Sequence, residues 1–334
     1  MRRWPTPRPF CSSFTAVSTM LKRNGLDSAL VRSSQATSSL SPLWPLQRTS
    51  RRMSRWRIVN HLQDIVQVAA QKTRASSWLD NETKHAAVAK LTNVRTIVWP
   101  SDKFLTAKAL EKVYGNFTDS APSFVEYWIE TRRSQRLMFG SEAAEQELLL
   151  RDNAQLPYVE YVHVLNRLSV ALGALAPPLY YQDGTKAMLH GGVLYQYARE
   201  LLRAIDNEGV KINQHGEFVW NWLSEDQREP FKKRTQDCLP NNVSIFPEVP
   251  AMEVAYEAFK RNVNENEAQL APDLTEEKVF FITACLPSCA VTPADNLYGG
   301  DCNKAVMNFA PFAEAFGCPV GSNMNPATKC TFYD

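Results

Sequence analysis

Residues 199–203 read Arg-Glu-Leu-Leu-Arg, within the stretch 191-GGVLYQYARELLRAIDNEG-209. On a helix, positions i and i+4 share a face. A zinc-binding helix places two His there, with a Glu after the first acting as general base. Here Glu200 stands at the base position, while Arg199 and Arg203 stand at the two ligand positions. Taken alone, this pattern reads as a solvated, salt-bridged helix face. The five His (61, 85, 163, 190 and 215) are scattered, and no two have ligand spacing. His190, beside Gly191-Gly192, reads as a local structural residue. Cys285 and Cys289 form a lone C-x3-C, two ligands short of a zinc site. The seven Cys suit disulfides in an oxidising compartment. Sequons at Asn81, Asn116 and Asn242 agree with that compartment.

The elements that must position these residues follow from periodicity. Val59, Leu62, Val66 and Ala69 recur at helical spacing, so regular structure is expected from about Arg57. After the Trp78-Leu79-Asp80 turn, a second helix is expected with Ala87, Leu91, Val94 and Val98 on one face, stopping at Pro100. Two helical stretches are expected in 105–150. Alternation of Val162, Val164, Leu168 and Val170 up to Pro177-Pro178 predicts a strand or hairpin within 155–182. Gly191-Gly192 is expected to open a long helix to about Ile205, and further helices are expected at 224–236, 251–261 and 274–284.

The chain has 334 residues, 44% of them hydrophobic, enough for about two domains and a sizeable core. No stretch of about 18 apolar residues encodes a membrane span. Residues 1–57 carry 11 Lys+Arg and one acid, a net of +10; the rest carry 26 basic and 34 acidic residues, a net of −8. The basicity therefore lies outside the expected folded part, which argues against a nucleic-acid partner. The leader is rich in Arg, Ser and Pro; a transit peptide, a disordered tail and an artefact of gene assignment all suit it.

Several segments together carry a resemblance. Trp78-Leu79-Asp80, Thr83-Lys84, Ala87, Lys90-Leu91 and Ile97-Val98-Trp99-Pro100 form one; Asn166, Leu168, Val170, Gly173, Leu175 and Pro177-Pro178-Leu179-Tyr180 form another. Gly191-Gly192, Glu200, Asp206, Gly209, Gly216 and Trp222, then Val254–Lys260 and Phe280-Phe281-Ile282, continue it. The ending Gly321-Ser322-x-Met324-Asn325-Pro326-x-x-Lys329-Cys330 is the most specific part. From about residue 58 onward the chain resembles the neprilysin family of zinc metallopeptidases, which includes the endothelin-converting enzymes.

The resemblance implies a mainly α fold with a small β element, of the zincin-like (thermolysin-like) neprilysin type. It implies a layout of leader 1–57, helical ectodomain part 58–150 and metallopeptidase-like domain 151–334. It also places the two zinc-binding His at Arg199 and Arg203, the third ligand, a Glu, at Ser244, and the Asp that follows that Glu at Glu248. The late His that steadies the tetrahedral intermediate falls at Asp295, a nearby Arg at Asp301, and the backbone-clamping N-A-[FY] motif at Tyr158-Val159-Glu160. Glu200 (general base) and Asp206 (orienting a ligand His) are retained. Zinc needs donors with free lone pairs, whereas Arg has no acceptor and stays protonated. An Arg ~4 Å from the dication would be repelled by ~8 kcal/mol at an effective dielectric of ~20. No cofactor is therefore expected, and Glu200 and Asp206 are expected to pair with Arg199 and Arg203.

By the same resemblance Cys238 pairs with Cys330. Cys289 and Cys318 match family cysteines whose partners lie in an N-terminal part absent here, which leaves Cys11, Cys285 and Cys302 as further candidates. The expectation is an inactive, extracellular, disulfide-bonded and glycosylated homologue that binds peptides or a protein partner. An active zinc endopeptidase and a truncated or erroneous gene product are the alternatives.

Overall fold

The first helix, α1 (Arg51–Ala75), begins upstream of the expected start at Arg57. It buries Ile58, Leu62, Ile65 and Ala69, each at most 2% exposed. This structure, a computed structural model, describes residues 51–98, 107–118, 120–138, 141, 159–262, 271, 273–288 and 301–333. The helix α2 (Asn81–Thr92) starts where the Asp80 carboxylate accepts the Thr83 N–H at 2.7 Å. It stops at Thr92, short of the length expected. The β-branched residues Val94, Thr96, Ile97 and Val98 belong instead to a loop end and to the strand β1 (Arg95–Val98), because extended pairing suits them better than a crowded helical turn.

The helices α3 (Ala107–Tyr114) and α4 (Phe124–Met138) belong to a separate compact unit. Within it, Tyr114 is buried against Phe117 with ring centroids 5.6 Å apart, and the Ser134 hydroxyl donates to the Asn116 carbonyl at 3.1 Å. Residues 50–99 and 153–334 form the other unit.

The expected hairpin is present as β2 (Val159–Val162) and β3 (Arg167–Val170), antiparallel, with β1 parallel to β3 on its other side. The turn between them ends at Asn166, held at φ +41 by its side chain. Its amide accepts from the Tyr161 hydroxyl at 2.7 Å and donates to the Lys90 carbonyl at 3.2 Å.

The single long helix expected from Gly191 to Ile205 is in fact broken. A short helix α5 (Lys186–Leu189) runs into a wide turn over His190–Leu194, with Gly192 at non-helical ψ, before α6 (Tyr195–Leu202) begins. The glycines are there for close approach. A Cβ on Gly191 would lie 2.2 Å from the Phe280 carbonyl oxygen, and one on Gly192 would lie 2.1 Å from that of Leu179. The chain continues through α7 (Arg228–Thr235), α8 (Glu248–Asn262), α9 (Glu276–Cys285), α10 (Cys302–Met307) and α11 (Ala310–Phe316). The helix α8 is central: Ala251, Met252, Val254, Ala255 and Phe259 are at most 1% exposed, and it packs on α1, α6 and α10.

The C-terminal residues are tied in at several points. Cys238 and Cys330 are bonded as the resemblance implied. The Glu253 carboxylate accepts the Phe332 and Tyr333 N–H groups at 2.9 Å each, and the Trp78 indole donates to the Phe332 carbonyl at 2.8 Å. Cys285 pairs with Cys302, and Cys318 is a free thiol. Cys11 and Cys289 lie outside the described residues.

Cys238→Ser opens a loop of 92 residues and should cost about 4 kcal/mol of stability, read by denaturant unfolding under oxidising conditions. Burial pushes the Glu253 carboxyl up to about 7, against the pull of its two N–H donors and of Lys72 and Arg234. A raised folded-state value means that the ionised group costs stability. The cost is absent below pH 4.5, grows between 4.5 and 7, and is complete above 7, on the order of 3 kcal/mol. Glu253→Gln should flatten that segment of the stability–pH curve.

Candidate active site

The helix α6 lies on the sheet, and the sheet holds it by two side chains. The Tyr197 hydroxyl meets the Thr96 hydroxyl of β1 at 2.6 Å, and Glu200 accepts the Tyr161 N–H of β2 at 3.1 Å. Among the described residues β2 pairs with β3 on one side only, so Glu200 takes up an N–H at the edge of the sheet. Arg203 pairs with the same Glu200 oxygen at 3.3 Å, as expected. Burial raises the Glu200 carboxyl above its ordinary value, with Arg203, the Tyr161 N–H and Arg199 pulling it back.

Arg199 departs from the expected pairing. Its side chain is 8% exposed; its guanidinium donates to the Gln196 amide oxygen at 2.7 Å and pairs with Glu248 at 3.6 Å. Glu248, the first residue of α8 and itself only 7% exposed, is held from the other side by Lys304 of α10 at 2.6 Å. A carboxylate at a helix N-terminus also meets the positive end of the helix dipole. Lys304 further donates to the carbonyls of Ser244 and Phe246 at 3.0 and 3.4 Å, which draws Ser244 to the same cluster. The Ser244 hydroxyl is occupied locally, accepting the Phe246 N–H at 3.1 Å.

Asp206 does not pair with Arg203. It accepts the N–H groups of Glu208 and Gly209 at 2.9 and 2.8 Å, closing the turn after α6, and faces His163 at 3.8 Å. Its field supports the buried Lys90, whose ammonium donates to the Gly209 and Ile212 carbonyls and which burial lowers to about 8. His190 is structural, its Nδ1 2.8 Å from the Lys186 carbonyl. Asp301 caps α10, accepting the Lys304 N–H at 3.2 Å. Glu160 is exposed on β2. Tyr158 and Asp295 lie outside the described residues. The sequence offered no signal for Lys304 or Gln196, since neither falls in a motif.

A family model described as peptidase family M13 matches residues 245–332. Human endothelin-converting enzyme-like 1 is 24% identical over 313 residues, covering 84% of this chain and 40% of that protein. These matches make the chain similar to the neprilysin-type metallopeptidases of peptidase family M13. Rat endothelin-converting enzyme 1 is 23% identical over 290 residues, covering 76% of this chain and 37% of its own length. The chain thus spans about 40% of the length of these neprilysin-family relatives.

Among solved structures, the zinc metalloprotease Zmp1 of Mycobacterium tuberculosis matches at TM-score 0.60 and 18% identity, over 90% of this chain and 50% of that one. PepO from Lactobacillus rhamnosis matches at 0.57 and 17%, over 83% and 46%. These likenesses show the fold: a mainly helical, neprilysin-type metallopeptidase architecture with a small sheet.

The residues standing where the resemblance places zinc ligands do not fit a zinc ion. Arg199 and Arg203 are cations without acceptors. The Ser244 hydroxyl is a weak neutral donor to metal, and the nearby Glu248 is committed to Arg199 and Lys304. Among the described residues, no three His, Cys, Asp or Glu side chains gather in a way that could hold a metal. The match to the family model begins just after Ser244, so it leaves out the helix that carries Arg199 and Arg203.

Removing the shared carboxylate leaves two buried cations facing each other. Glu248→Ala should therefore cost about 3 kcal/mol. Glu200→Gln, which keeps an acceptor for the Tyr161 N–H, should cost about 1 kcal/mol. Parallel urea titrations of the two variants measure both.

Proposed function

We propose that this chain is a neprilysin-family homologue that does not hydrolyse peptides through zinc and that uses the former cleft to bind peptides or a protein partner. The observation that carries this reading is the Arg199–Glu248–Lys304 cluster. A buried cation at the first ligand position, compensated by its own carboxylate, is a stable alternative to a metal shell rather than an empty one. Without the metal there is no activated water and no Lewis acid. Glu200 alone would contribute at most ~10²–10⁴-fold as a general base.

The retained Glu200 favours a second reading, an active zinc endopeptidase. Burial raises its carboxyl above the ordinary value, which makes it a better proton acceptor than an exposed Glu. The cationic ligand positions weigh against this reading.

Two disulfides support an extracellular or ectodomain setting. Asn81, Asn116 and Asn242 are all exposed, as N-glycosylation requires. Among the described residues no helix is long and apolar enough to cross a membrane. The division into 1–57, 58–150 and 151–334 is part of the same proposal.

Elemental analysis of the purified chain, combined with a fluorogenic peptide assay, tests the central claim. The expected result is far less than one zinc per chain and no cleavage sensitive to chelators. Stoichiometric zinc with chelator-sensitive cleavage would establish the second reading instead.

A further inference from the structure

The sheet has a second edge, away from Glu200. The order β1-β3-β2 places β1 at that edge. Arg95 is in register with Arg167, and its N–H donates to the Asn166 carbonyl at 2.9 Å. In a parallel ladder, Arg95 and Ile97 therefore turn their backbone groups toward β3, and Thr96 turns its N–H and C=O outward. A cavity of about 730 Å³ opens on this side, between α1 and β1. Its apolar wall is Val59, Leu62 and Val66 of α1 with Val94 and Val98; Gln63, Gln67 and Asp64 supply amides and a carboxylate. The Tyr197–Thr96 hydroxyl bond fixes the floor.

We propose that this cavity is a docking groove for an extended peptide segment that adds a strand to β1 at Thr96 and carries a basic residue toward Asp64. The inference concerns a different site from the former zinc cleft and does not rest on the function proposed above. Three observations select the occupant. First, an outward N–H and C=O beside a cavity match a peptide backbone, which supplies both partners at strand spacing. Second, Val94, Thr96 and Val98 line the cavity at every second residue, so an added strand would send alternate side chains into it. Third, the Asp64 carboxylate is half exposed and, among the described residues, has only His61 as an ionic partner, at 3.4 Å, which favours a cationic side chain. The volume suits a segment of a few residues, within the usual ~300–1,000 Å³ of small-ligand sites.

The test uses the full chain and a fluorescent, end-blocked hexapeptide of alternating Val and Lys, read by polarisation. Saturable binding is expected. A copy N-methylated on alternate backbone nitrogens should bind on the order of tenfold more weakly, since it cannot donate to the strand edge. Asp64→Asn should weaken the Val-Lys peptide several-fold and leave a Val-Gln peptide unchanged. The proposal is overturned by absence of saturable binding, by equal binding of the methylated and plain peptides, or by binding lost in Glu160→Lys at the β2 edge but kept in Asp64→Asn. The last result would move the site to the old cleft. The peptide arms need no protein variant, so they decide the matter even if a substitution unfolds the chain.

Discussion

The buried carboxylate of Glu248 joins three helices through charge. It begins α8, receives Arg199 from α6 and receives Lys304 from α10. Two cations and one anion in a nearly dry site are tolerable only as a set, because each ion has lost its hydration and the partners replace it. Lys304 then reaches the Ser244 and Phe246 carbonyls, so the loop entering α8 is held by the same charge. The placement of α6 on the sheet is held separately, by Tyr197 and Glu200.

A second set of ties closes the fold between distant parts of the sequence. Trp78, in the turn before α2, donates to Phe332 and packs edge-on against its ring at 5.4 Å. Arg234 lies over the Trp78 ring, 5.1 Å from its centroid, and also donates to the Thr331 carbonyl. With Glu253 on the Phe332 and Tyr333 amides, the last residues act as a clasp on α1, α7 and α8. Just before it, inside the final motif, the Lys329 ammonium donates to the Met307 carbonyl and the Asn325 amide oxygen, and the Cys330 N–H donates to the Asn308 amide oxygen. The match to the family model thus rests on a part of the chain separate from the helix that carries Arg199 and Arg203, and a fold by itself does not carry function.

The hairpin and the helices α3 to α4 and α7 to α9 were legible in the residues, because periodicity and turn chemistry are local or strongly patterned signals; the Cys238–Cys330 bond followed from the resemblance. The break in the helix before α6 was not. Gly191-Gly192 looks like a helix start, and only the passage of Phe280 and Leu179 across the two glycines explains the wide turn. Val94 to Val98 fit a helical face as well as a strand, and the choice fell to β3, which lies some seventy residues downstream and was there to pair with them.

That Arg199 and Arg203 offer no donor to a metal follows from side-chain type alone, since no arrangement of the backbone gives a guanidinium a lone pair. What surrounds those side chains was decided by tertiary structure. The sequence suggested a partner for Arg199 within its own helix and turn, at Glu200 or Asp206. The folded chain instead brings Glu248 to it from 49 residues away, and Glu248 in turn is held by Lys304, 56 residues further on. Charge compensation in a buried site is set by distance in space, and neighbours in space are not encoded by neighbours in sequence.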